Sequence, residues 1–492
     1  MSSIITNQFR SAIAKNFLSL ATTDNLYLFI SRSQAWSSDE YVDNPAVSEL
    51  TPPVPNDNSA EFINSHNNMI GIKKINANDL SLVIKKISWQ PGSIYDMYKH
   101  NYSQNNPASS GATNLADTNF YIVNSQFQVF KCIYNGQTPE TPLGIPTTAG
   151  SEPTTTGSST AIITTSDGYR WKFLFSITTN QVLKFSNNNY IPVYVDPIVS
   201  LAASPGSISQ VNILNRGANL TPGTYYAKIV GNGTGGVIRI VVPNNNTDPF
   251  NQKISTVSVV SGGTRYTFAK VNLGIVFSDV ACTIPANIGT ININVNYLEV
   301  TIPPVSGHGS NPEQELFAHR VVIAPKLESV DQDIPVNIQY RQFGILKNPL
   351  VSGTNTLFTA ATASCTQRIK FSNTFVGTFI LGERVVQSAT GAIGTVVAWD
   401  VINKILSIYQ NQYQNNFFIN IFAGVNTLTA ASGLTGTPET TFNSILANST
   451  FINGYAGSEI EKFSGEILYI ENRNAINRSL DQVENILLVL EY

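Results

Sequence analysis

Short apolar runs, each closed by Gly, Pro or Asn, recur from one end of this chain to the other. Phe379-Ile380-Leu381-Gly382-Glu383-Arg384-Val385-Val386 is followed by Thr390-Gly391-Ala392-Ile393-Gly394-Thr395-Val396-Val397 and then Lys404-Ile405-Leu406-Ser407-Ile408. Runs this short and this rich in β-branched residues read as strand, turn, strand. A strand satisfies its backbone only by pairing with another, so many short strands imply sheets. The expected class is mostly β: a sandwich or barrel core with a few short helices.

Other strand candidates are Leu26 to Ile30, Met69 to Ile75, Leu80 to Ile87, a single alternating stretch from Asn119 to Tyr134, and Tyr169 to Ile177. Two more, Ile467 to Ile470 and Ile486 to Leu490, are joined by a polar loop. Helix signals are few. Phe9, Ile13 and Phe17 recur at helical spacing over residues 7 to 20, with Thr6 or Asn7 able to cap. Asn311-Pro312 opens a second, with Gln314 placed for a capping box and Glu313 and Glu315 in its first turn. The loop from Ser31 through Pro55 is broken up by Pro45, Pro52, Pro53 and Pro55. Residues 135 to 166, rich in Thr, Pro, Gly and Ser, read as a long exposed loop.

The texture changes twice. Over 201–292 charged residues thin out, and Ile208-Ser209-Gln210-Val211-Asn212-Ile213 recurs as Ile254-Ser255-Thr256-Val257-Ser258-Val259, with Gly217 matching Gly263. Two hairpin units of one inserted β module are expected there. Residues 351–454 read as a second inserted module. The remainder, 1–200, 293–350 and 455–492, forms the expected main body.

Charged residues are 12% of the 492, against about 25% in ordinary soluble chains, and the net charge is −3. Lys73-Lys74 and Lys85-Lys86 are isolated pairs, so no basic field for nucleic acid is expected. Arg10 and Lys15 interrupt the N-terminal apolar stretch, so no secretion signal is expected. No apolar run is long enough for a membrane span. Cys132, Cys282 and Cys365 lie far apart, as free thiols would.

The formal motifs fail in context. Gly231-Asn232-Gly233-Thr234-Gly235-Gly236 satisfies GxGxxG, but the strand-like Val237-Ile238-Arg239-Ile240 follows where a dinucleotide site needs a helix. His66, His100, His308 and His319 have no metal-ligand spacing, and His308 sits in a Gly-rich turn. No nucleophile elbow or P-loop occurs, and no local signature supports a glycosidase carboxylate pair. No catalysis and no cofactor are expected. The conspicuous residues are loop aromatics and arginines: Arg32, Trp36, Trp89, Tyr95, Tyr98 and Arg473. These are candidates to anchor their own loops or a protein interface.

Separated blocks then carry a resemblance. They are Phe29-Ile30-Ser31-Arg32-Ser33 with Trp36-Ser37, Met69-Ile70-Gly71, Val83-Ile84-Lys85-Lys86 with Trp89 and Tyr95-Asp96, and Phe130-Lys131-Cys132. Further along come Asp167-Gly168-Tyr169-Arg170-Trp171-Lys172, Arg341-Gln342-Phe343-Gly344-Ile345, and Ser464 through Arg473. In this order they resemble the baseplate wedge subunit of T-even-type contractile phage tails, the gene product 8 family. The resemblance implies a non-catalytic structural protein of the virion, made in the host cytoplasm. It implies a homodimer packed against neighbours resembling gene products 6, 7 and 10, in a baseplate that rearranges on sheath contraction. The two β modules depart from the family pattern. An alternative gives them the function: a tail-associated binder of host carbohydrate, with Trp399 or Tyr266 stacking on sugars.

Overall fold

The computed structural model describes residues 6–328, 331, 333–414 and 418–492. The protein is mostly β, with 34% of residues in strands and 11% in helices, arranged as several antiparallel sheets. Among the described residues no sheet closes into a barrel, so the barrel half of the expectation gives way to open sheets with free edges. The chain divides into two compact units. One comprises Met1–Lys15, Ser81–Val322 and Val489–Tyr492; the other comprises Asn16–Leu80 and Ile323–Leu488.

In the first unit, Tyr121–Val123, Gln128–Tyr134, Arg170–Ser176 and Ile162–Thr164 form a four-stranded sheet in that order. The alternating stretch expected from 119 to 134 is thus two strands. Asn124 Oδ1 accepts the backbone N–H groups of Gln126 and Gln128, and Phe127 takes φ +56°, so the chain reverses between them. The core behind this sheet holds Phe130, Cys132, Tyr169, Trp171 and Phe173, all nearly or fully buried. The stretch 135–166 is less free than expected. Asn135, Thr147 and Ser151 are buried, and Thr147 Oγ1 donates to Gln90 O at 2.7 Å.

A second core in this unit gathers Ile208, Tyr225, Ile238, Ile240 and Tyr266. The Gly231–Gly236 motif is the turn of an antiparallel hairpin, Gly223–Gly231 with Thr234–Val242. The internal repeat does not yield two equivalent hairpins. Gln210–Ile213 pairs with the distant Leu298–Thr301, whereas Thr256–Thr264 pairs with the adjacent Thr234–Val242. Gly217 (φ +68°) and Gly263 (φ +60°) both take the left-handed region, but Gly263 lies inside the Thr256–Thr264 strand rather than in a turn, and the two copies find their strand partners independently.

In the second unit, five strands lie in the order Thr362–Ser364, Met69–Lys74, Leu26–Ser31, Ile338–Lys347 and Glu466–Arg478. Tyr27, Phe29, Met69, Ile72 and Leu346 pack its core. Residues expected as a polar loop after Ile470 instead extend the edge strand to Arg478. An edge strand with half-exposed faces needs no apolar alternation, so its pattern was silent. A separate seven-stranded sheet carries the core of Ile369, Phe371, Val385, Val396 and Leu406. The helix Ser59–Asn67 was not anticipated: its buried side chains are polar, Glu61, Ser65, His66 and Asn67. The three cysteines are free and buried.

Candidate interface anchors

In the second unit the left-handed Arg32 (φ +58°) turns the chain at the end of the Leu26–Ser31 strand. Such a conformation costs a non-glycine residue of order 1 kcal/mol and persists only where contacts over-determine it. Here they do. Arg32 N–H donates to Asn68 O, and Nη1 donates to Glu40 Oε1 at 2.8 Å. Nη2 donates to Ala35 O at 3.0 Å. The guanidinium lies 4.4 Å from the ring centre of Trp36 and 5.2 Å from that of Tyr41. A planar cation can donate to in-plane acceptors and lie over aromatic faces at once, which an ammonium cannot.

Trp36, 1% exposed, extends the arrangement. Its indole Nε1 donates to Arg473 O at 2.7 Å, and its backbone N–H donates to Glu49 Oε1. Arg341 Nε donates to both Glu49 oxygens at 2.9 Å. Gln342 joins Glu61 to Asn472. Burial pushes the Glu61 carboxyl up and the Tyr41 phenol to about 12. At Gly344 an added Cβ would strike Tyr469 O and the Phe29 ring, so the close strand approach requires glycine. Arg473 contributes its carbonyl inward; its side chain is 58% exposed and pairs with Glu471.

The first unit holds the other candidates. Tyr95 donates its hydroxyl to Ser88 O and accepts from the Gln90 N–H, clamping the turn that follows Trp89. Its ring meets Trp171 edge-on, and Trp171 stacks on Tyr169 at 5.3 Å. Trp89, half-buried, packs against the same cluster. Tyr98 meets the His308 ring edge-on at 5.0 Å, and Lys131 Nζ lies 4.8 Å from the Tyr98 ring centre.

Lys131 is sealed from solvent and pairs with Glu315, whose other oxygen accepts the Gly309 N–H at 2.7 Å. Burial pulls the Lys131 ammonium down, opposed by the charge of Glu315. Burial, with Lys131 and Lys172 beside it, pulls His308 well below its usual range, so its ring is neutral. The residue pattern gave no sign of Lys131 pairing with Glu315. The partners sit 184 residues apart.

The six candidates therefore fall into two sets. Arg32, Trp36 and the Arg473 backbone meet in one unit; in the other, Trp89 and Tyr95 share a core, while the Tyr98 ring packs against Phe120 and His308. Arg32, Trp36, Tyr95 and Tyr98 are buried within their own unit, where they anchor their own loops; only the Arg473 side chain is well exposed. No protein-family model matches the chain, and no curated protein matches it in sequence. Tyr266 is 2% exposed and donates its hydroxyl to Ile229 O, so it offers no face to a sugar. Trp399, half-buried, packs among Phe371, Phe375 and Phe379 at 5.1–5.9 Å. Among the described residues no three His, Cys, Asp or Glu side chains gather to hold a metal ion. No helix among them is long and apolar enough to cross a membrane.

Proposed function

We propose that this protein is a structural subunit of a contractile phage tail baseplate wedge, acting through assembly rather than catalysis. The observation that carries the reading is the sequence resemblance, and its blocks meet in space. Phe29–Ser33, Met69–Gly71, Arg341–Ile345 and Ser464–Arg473 lie on or beside one five-stranded sheet and interlock through Arg32, Trp36 and Arg341. Phe130–Cys132, Tyr169–Lys172 and Tyr95 meet in one aromatic core. Blocks scattered through the sequence thus serve the loop-bracing network of each unit. A wedge protein that must hold its long loops rigid while neighbours dock needs such bracing.

On this reading the purified chain is a dimer and co-assembles with the neighbouring wedge proteins of its own phage, followed by size-exclusion chromatography with light scattering. A stable monomer with no affinity for those proteins would sink it.

A further inference from the structure

Two clefts adjoin in the first unit. One, of 360 Å³, is lined by Arg10, Lys85, Tyr121, Phe317, Arg320 and others; its neighbour, of 260 Å³, by Lys85, Lys86, Asn188, Asn189, Tyr190 and Arg320. Lys85 and Arg320 line both, so the two clefts adjoin at these side chains. The lysine pair that looks isolated in sequence is thus joined in space by Arg10 and Arg320.

The charges are not self-cancelling. Arg320 Nη2 donates to Glu491 at 2.5 Å, His319 also faces Glu491, and the Arg320 guanidinium lies 5.3 Å from the Tyr190 ring centre. Asp117 is held by its own turn, receiving the Asn114 amide at 2.5 Å. Arg10, Lys85 and Lys86 have no ion pair among the described residues. Three free cations beside aromatic rings and side-chain amides, in a chain of net charge −3, form a local field opposite to that of the whole.

We propose that the joined clefts are a docking groove for an extended acidic segment of a partner protein, with carboxylates at Arg10, Lys85 and Lys86. Three features select a peptide. Two adjoining clefts with cations common to both suit an extended chain lying across them. Asn188, Asn189 and Asn119 offer donors and acceptors to a peptide backbone, and the half-buried Phe317 and Tyr190 offer apolar surface between charges. The carboxylates of Asp117 and Glu491 in the wall repel a uniformly charged phosphate polymer but leave room for spaced carboxylates. This inference is independent of the wedge reading and stands or falls without it.

The test uses the full chain and a fluorescein-labelled peptide of alternating acidic and aromatic residues, followed by fluorescence anisotropy. Its Asn/Gln counterpart and oligothymidylate serve as competitors. The acidic peptide binds saturably, and the double variant Lys85→Glu/Lys86→Glu binds it at least about tenfold more weakly. Arg10→Glu weakens it too, and Lys270→Glu, exposed elsewhere, leaves it unchanged. On the unmodified chain, the bound peptide shields Lys85 and Lys86 from acetylation while Lys270 reacts as before, so the result does not depend on a variant folding. Absence of saturable binding, equal binding of the two peptides, or unshielded lysines overturns the proposal. Oligothymidylate competing as strongly as the acidic peptide reassigns the groove to phosphate and overturns it as well.

Discussion

Arg32 and Lys131 are both buried cations, one in each unit, held by different means. Arg32 spreads its charge over a carboxylate, a carbonyl and two aromatic faces, all supplied by residues between 35 and 41. Lys131 has one carboxylate, Glu315, brought from a distant helix of four residues. If one partner is lost, the local arrangement still offers carbonyl and ring contacts; the distant one leaves Lys131 only the face of Tyr98. Local bracing fixes a loop, whereas a long-range ion pair fixes the placement of one chain segment against another.

The largest effect is therefore expected at Glu315. Glu315→Ala leaves a sealed ammonium without its counter-charge and costs about 3–5 kcal/mol, read from denaturant unfolding. The double variant Lys131→Met/Glu315→Leu recovers most of this, because the desolvation penalty goes with the charges. If Glu315→Ala is neutral, the contrast between the two cations is wrong.

Next comes Trp36→Ala, at about 3–5 kcal/mol, since a buried indole is lost together with its hydrogen bond to Arg473 O. A near-neutral change in melting temperature would mean that the Arg32 network carries the loop without its central ring.

The first unit also has an acid sensitivity through His308, which faces Tyr98, Lys131 and Lys172. Its ring is neutral in the fold and takes up a proton on unfolding once pH falls below its ordinary 6.5. The unfolded chain then binds more protons, so stability present above 6.5 declines as pH falls. In calorimetry between pH 7 and 5, His308→Phe flattens this decline; an unchanged pH slope would remove His308 from the account.

Part of this was legible in the sequence. The cap Asn311-Pro312 and the Gly231–Gly236 turn announce themselves, because caps and turns are decided by neighbouring residues. Lys131 and Glu315 were legible only as a lysine inside a strand and an acid near a helix start. Their meeting depends on how separate elements pack. The edge strand through Arg478 was missed for a related reason: its register comes from Ile338–Lys347, not from its own pattern. The candidate anchors stand out by chemistry, as aromatics and arginines in loops, but their burial does not, since loop position says nothing about which loops fold inward.

A smaller effect separates guanidinium from ammonium. Arg32→Lys keeps the charge but gives up the fork to Glu40 and Ala35 and the flat contact with Trp36, at a cost of about 1–2 kcal/mol. A variant as stable as the parent would show that charge alone suffices.

The smallest effect is expected at Arg473, whose carbonyl is held by Trp36 while its side chain stays largely in solvent beside Glu471. Arg473→Ala leaves the carbonyl in place and removes an exposed ion pair, so stability changes by no more than about 0.5 kcal/mol. That near-silence is useful. Trp36→Ala mixes folding with any docking role, because the ring is buried in its own unit. Arg473→Ala leaves the fold intact, so under the proposed wedge function a loss of co-assembly in that variant reports docking alone. Normal co-assembly in Arg473→Ala would leave this residue, like Arg32 and Trp36, with a bracing role inside the chain.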